Sequence, residues 1–190
     1  MAARRSSNAK TDRTPPLSPQ GVKALVDYDR AVFERFVRRV RRLPWKVASR
    51  PRGIGHESLF DTLVHVLNVA EVWLVYVARG RNSDRELTRL FHDARRHPRN
   101  WNGFDAYAER VWEGVDSTLA RVAPSDLDRR VKAFWMPGRY TLRDAVFQVT
   151  FEEAHHLGEI IGALWQDDLK PPEMTWLDVG RARAGRRRRA

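Results

Sequence analysis

Four stretches of this chain place apolar residues at helical spacing, three or four apart. The first runs from about Pro19 to Arg42, where Leu25, Val32, Phe36, Val40 and Leu43 make a stripe that Phe33 and Val37 widen. Pro44 ends it, and Arg35, Arg38, Arg39, Arg41 and Arg42 fall largely outside it as a solvated face. The second spans residues 56–80, with Ser58 and Asp61 spaced as a capping pair and Gly80 placed to terminate the helix. The third spans about Gly103 to Val122, with Phe104, Tyr107, Ala108, Val111, Val115, Leu119 and Val122 on one side. The fourth is Thr141 to Trp165, capped by Thr141 and Asp144, with Leu142, Ala145, Val146, Val149, Ile160, Ala163 and Leu164 in register.

The connection between the second and third stretches, residues 81–102, is too long for a tight turn between antiparallel neighbours, and a short helix fits Asp84 to Phe91. Four amphipathic helices, one long crossover between helices 2 and 3 and no β-rich run predict an all-α four-helix bundle. Residues 1–18 and 180–190 have the composition of disordered basic tails, which leaves residues 19–179 as one domain. Trp176 and Leu177, in the segment after the last helix, are expected to fold back onto the bundle.

Composition changes this picture in two ways. The formal charge of +11 suggests nucleic acid, but residues 1–18 carry a net +3 and residues 180–190 a net +6, leaving +2 for the body. Weak, salt-sensitive contacts through the tails are the extent of nucleic-acid binding expected. The chain has no cysteine, which excludes disulfides, thiolate metal sites and a cysteine nucleophile. No apolar run reaches the roughly 20 residues that span a bilayer, and the N-terminus lacks the apolar core of a secretory signal. A cytoplasmic protein without membrane contact is expected.

The candidate chemistry lies midway along the fourth helix, where the pattern turns polar at Glu152, Glu153, His155, His156 and Glu159. Glu152 and His156 are four apart, share a helix face and form a possible two-ligand clip for a divalent cation. His65 is the best third ligand, because it sits in a mostly buried apolar segment where each ring nitrogen needs a partner. The alternatives are a hydrogen-bonded core His65, and a Glu152 that pairs with a basic side chain or only with His65. Gln148, one turn before Glu152, lines the same cavity or makes an ordinary interior contact. Glu153 is expected to point outward and His155 to face the surface or a dimer partner. His56, His92 and His97 sit in connectors, and no local spacing makes them a site. Trp73, Trp112, Trp135 and Trp165 are assigned to core or interface packing.

SLFDTLVHVLNVAEVWL around His65 and FEEAHHLGEIIGALW around His156 resemble the DinB/YfiT family of helical bundles. The resemblance covers roughly residues 20 to 170. In that family a histidine of the second helix joins two ligands four apart on the last helix, followed by His-x-Gly-Gln/Glu. His65 and His156-Leu157-Gly158-Glu159 match, while Glu152 stands where histidine is common, which alters charge and metal preference. The resemblance implies an up-down-down-up bundle, a homodimer, and a divalent ion such as zinc or nickel in an open site held by His65, Glu152 and His156. Glu159, three residues beyond His156, would then support that ligand from outside.

Related bundles include thiol-dependent transferases and isomerases, so the expected function is a metal-dependent transferase or hydrolase acting on a small molecule, a low-molecular-weight thiol being one class. The alternative is a non-catalytic stress-response or binding bundle with a structural or empty metal site. A third reading, a nucleic-acid accessory protein, depends on the tails. The family name refers to DNA damage, but no acidic two-metal constellation for DNA synthesis is present.

Overall fold

A computed structural model describes residues 17–53, 55–81, 83–133 and 135–175. Residues 1–16 of the N-terminal tail and all of the C-terminal tail, together with Trp176 and Leu177, lie outside the described residues, whereas Leu17 and Ser18 are described and lead into the first helix. Among the described residues the fold is all-α apart from one very short strand pair. Helix α1 spans Pro19–Arg41 and is capped by Ser18, whose hydroxyl accepts from the Gly21 amide at 3.1 Å. Its buried stripe is Val22, Val26, Asp29, Val32, Phe33, Phe36 and Val40, so Leu25 sits at the edge and an aspartate occupies the middle. A single turn, α2 (Trp45–Ala48), leads into a loop.

The second predicted helix is α3 (Leu59–Ala70) continued by a π-helical segment, Glu71–Val77. Ser58 caps it, with Asp61 as the reciprocal partner. Gly80 follows with φ +73°, the left-handed geometry expected of a helix-terminating glycine. The stretch Leu59–Val77 is apolar enough to cross a bilayer by length and composition, with a mean hydropathy of 1.4, yet 67% of it is buried inside the protein. Its apolar surface is taken up by packing on α5 and α6.

The crossover contains α4 (Asp84–Phe91), which coincides with the short helix read from the sequence, and a 3₁₀ turn at Ala94–Arg96. Helix α5 spans Trp101–Leu119 behind an Asn100 cap. A 3₁₀ turn at Pro124–Asp128 precedes β1 (Arg130–Val131) and β2 (Tyr140–Thr141), an antiparallel pair in which Arg130 meets Thr141 and Val131 meets Tyr140. The sequence, which contains no β-rich run, gave no sign of this ladder. It delivers the chain to the N-cap of α6 (Leu142–Gln166), where Thr141 and Asp144 form the predicted reciprocal capping box.

Helix α6 packs against both α1 and α3, and α5 covers the π-helical segment. The core is continuous, with Phe33, Phe36, Leu63, Leu67, Phe104 and Tyr107 among its largest buried side chains. In the crossover a charged anchor adds to the apolar contacts of the buried Leu87 and Leu90. The fully buried Arg96 meets Glu71 at 2.7 Å, and Tyr107 donates to the same carboxylate at 2.9 Å.

Candidate metal centre

Three imidazoles from three parts of the chain converge at one end of the α3–α6 interface. His65 comes from the middle of α3, His156 from the middle of α6, and His56 from the loop just before the Ser58 cap. One nitrogen from each lies within 4.8 Å of the others. His56 and His65 stack with centroids 3.4 Å apart, and His156 meets His65 edge-on at 4.5 Å. Their donor type and closeness fit a divalent cation.

Two further features favour a cation. Burial, then the nearby His156, holds the His56 pKa below its ordinary value. Burial, reinforced by His56, His156 and Arg96, pushes His65 down to about 3. Both rings are therefore neutral near pH 7, with lone pairs available. The third ring is fixed by its neighbours on α6. His156 Nδ1 donates to Glu159 Oε2 at 2.8 Å, so in that tautomer Nε2 carries the lone pair. Nε2 lies 3.4 Å from Glu152 Oε2, so the His156 ring stands between two carboxylates.

The residues singled out in the sequence separate into roles. His65 and His156 belong to the cluster. Glu152 stands beside it and lines the adjoining pocket, its other oxygen accepting from Gln148 Nε2 at 2.7 Å. Gln148 therefore orients Glu152 rather than standing among the pocket-lining side chains. Glu159 accepts from His156 Nδ1 on the side of the ring away from Glu152. His155 is exposed, with Nε2 3.5 Å from Glu159 Oε1. Trp73 and Trp112 are buried, whereas Trp135 and Trp165 retain substantial exposed surface.

His56 was missed by spacing, because the fold and not the local sequence brings it to the site. The turn that does so has Gly55 at φ +54° and Glu57 at φ +71°, on either side of His56. The only sequence signals are the glycines of the SRPRGIG loop and the place of His56 two residues before a helix cap.

Glu153 requires a correction. It does not point outward; it is buried on the face of α6 turned to α1, where Asp29 is also buried. Its carboxyl pKa is raised well above the usual range by burial and then by the Asp29 charge. The periodicity explains this, since Val149, Glu153, His156 and Ile160 continue one buried stripe.

A family model for the DinB superfamily matches residues 28–160, a span that contains all three histidines, Glu152 and Glu159. The chain belongs to the DinB superfamily. No curated protein matches it. Within this DinB-superfamily chain, the histidine cluster opens onto a cavity of about 830 Å³, bordered by His56, His65 and Glu152 at one end and by Val69, Val72, Trp73 and Trp135 farther along.

Proposed function

We propose that this chain is a divalent-metal-dependent enzyme, a transferase or hydrolase acting on a small molecule, with zinc or nickel held by His56, His65 and His156. The observation that carries the proposal is the convergence of three histidine nitrogens within 4.8 Å at the mouth of a cavity large enough for a substrate. An ion there supplies Lewis acidity, which brings the pKa of a water or thiol ligand toward neutrality.

The chain's own residues supply the rest. Glu159 fixes the tautomer and angle of His156 through its 2.8 Å bond. Glu152, held by Gln148, is positioned to accept a proton at Oε2 from a nucleophile entering beside His156. A low-molecular-weight thiol is one nucleophile this arrangement accommodates. The proposal includes the up-down-down-up arrangement of the four long helices, supported by the contacts of α6 with α1 and α3. It also includes a homodimer, supported by Phe147, Phe151 and Trp165, which leave apolar surface exposed on α6.

The test is metal content by elemental mass spectrometry after repletion with zinc or nickel and desalting, followed by a screen of thiol-transfer and hydrolysis substrates. About one equivalent in the wild type, lost in folded His56→Ala, His65→Ala and His156→Ala, is expected. Failure of the wild type to retain metal would overturn the proposal. Retained metal whose removal lowers stability without affecting any reaction would favour the non-catalytic bundle.

A further inference from the structure

The cavity beside the histidines is asymmetric in its chemistry. Its acidic side chains gather at the histidine end, where Glu57, Asp61 and Glu152 border the opening. From there it follows one face of α3 and the π-helical segment, past Val64 and Asn68 to Val69, Val72 and Trp73. His65 and Trp73 are eight residues apart, about 12 Å along a helix axis. That distance exceeds what any single polar head needs.

The far compartment is lined mainly by apolar side chains, and Arg96 and the Asn68 side-chain oxygen at its border are already engaged. The Arg96 guanidinium is held by Glu71 at 2.7 Å and by the Leu90 and Asn68 carbonyls at 3.3 Å. Asn68 Oδ1 accepts from Tyr107 at 2.6 Å. Arg99 is exposed at the rim. Two large rings there carry more open surface than packing alone explains. Trp135 is 40% exposed although it meets Trp73 edge-on at 5.5 Å, and Phe91 is 47% exposed. Both border the cavity, so a bound apolar group would cover surface that now faces water.

We propose that this cavity selects an amphiphilic small molecule, whose polar reacting head lies at the histidine centre and whose uncharged aromatic or branched aliphatic tail lodges among Val69, Val72, Trp73, Phe91 and Trp135. The inference rests on the metal centre proposed above and narrows its substrate class. Substrates polar along their whole length are disfavoured in the far compartment, because the carbon surfaces of Val69, Val72 and Phe91 cannot replace the hydrogen bonds of their water.

The test uses hydroxamates, whose head ligates a divalent ion whatever the tail. Zinc-loaded full-length protein is titrated calorimetrically with acetohydroxamate, 4-phenylbutanohydroxamate and 6-aminohexanohydroxamate. The phenyl tail is expected to tighten binding about 100-fold over acetohydroxamate, and the ammonium tail to give no gain. Trp135→Ala, at a partly exposed position, and Val69→Trp, which fills the compartment, should each cut the phenyl gain to below about 5-fold. Acetohydroxamate affinity and zinc content should not change in either variant.

A wild-type gain below about 3-fold, or a gain untouched by both variants, would overturn the proposal. If the wild type retains no zinc, the metal centre has failed, and 4-phenyl-1-butanol is titrated into the same protein instead. Binding abolished by Trp135→Ala and Val69→Trp would then uphold the apolar compartment alone; no binding would remove it too.

Discussion

The imidazole of His56 lies flat against that of His65, with ring centroids 3.4 Å apart and planes inclined by 16°. They stand nine positions apart in sequence, with the helix cap Ser58 between them. The stack brings one ring nitrogen from the loop and one from α3 close to His156 on α6. Burial is the main reason that a proton is disfavoured on His56 and on His65, and for His65 the neighbouring His56 adds to it.

The stack separates His56 from Glu152 as the third ligand. Replacing His56 or His65 by alanine is expected to weaken zinc binding at least ~100-fold, measured by competition with a chromophoric chelator. Glu152→Gln preserves shape and the Gln148 contact, and is expected to weaken zinc by less than ~10-fold while lowering turnover. If Glu152→Gln empties the site and His56→Ala does not, the carboxylate is the ligand and the loop histidine a bystander.

Gly55 governs the same centre from outside. A Cβ at this position would lie 2.6 Å from Glu159 Oε2 and 3.3 Å from the Thr62 hydroxyl, on a backbone with φ +54°. The carboxylate is the flexible partner and would swing away, giving up its bond to His156 Nδ1. Gly55→Ala is therefore expected to cost roughly 1–2 kcal/mol of stability from the left-handed backbone. It should also weaken zinc by about 10-fold through the loosened His156. Glu159→Gln, which keeps an acceptor without the backbone strain, should weaken zinc with little change in melting temperature.

Much of this was legible in the chain because helix signals are local. The Thr141–Asp144 box, the Ser58 cap and the short crossover helix each depend on residues within one turn of each other. What failed was whatever depended on tertiary placement. His56 belongs to the centre only because a loop folds back over α3. Glu153 was assigned to the surface by its polarity, although its period matched Val149 and Ile160, and Asp29 interrupts an apolar stripe in the same way. The π-helical segment has no composition that distinguishes it from the α-helix it continues.

Asp29 makes stability depend on pH in a direction opposite to ordinary acid unfolding. It is 4% exposed, and burial raises its carboxyl pKa to about 6 although Thr150 donates to it at 2.7 Å. Near pH 3 both folded and unfolded states are protonated there and nothing is lost. Between the unfolded value of 3.8 and about 6 the folded state keeps a proton that the unfolded state has released, so stability falls as pH rises through this window. Above it, the buried charge persists at a cost of about 3 kcal/mol. Asp29→Asn is thus expected to stabilise by up to that amount at pH 8 and by little near pH 3, in urea unfolding at several pH values. An equal gain at every pH would trace the effect to packing and not to ionisation.

The buried Arg96–Glu71 pair tests how the crossover is secured over the cavity. Arg96 is fully buried, and its guanidinium ties the 3₁₀ turn to the π-helical segment, while Tyr107 on α5 donates to the same Glu71 carboxylate. Three separate elements thus meet on one charge pair. Arg96→Ala would leave the Glu71 carboxylate without its close cation, with Arg110 only at 3.9 Å, and is expected to destabilise the protein by about 3–5 kcal/mol. Arg96→Lys keeps the charge but not the planar fork that reaches Leu90 and Asn68 as well, so it should recover only part of that loss. Arg96→Met with Glu71→Leu removes both charges at similar volume and should be more stable than Arg96→Ala. Thermal unfolding of the four proteins orders them, and hydrogen exchange at residues 91–99 reads whether the wall of the cavity loosens with Arg96. If Arg96→Ala melts within a degree or two of the wild type, the pair does not hold the crossover and the apolar contacts of Leu87 and Leu90 carry it instead.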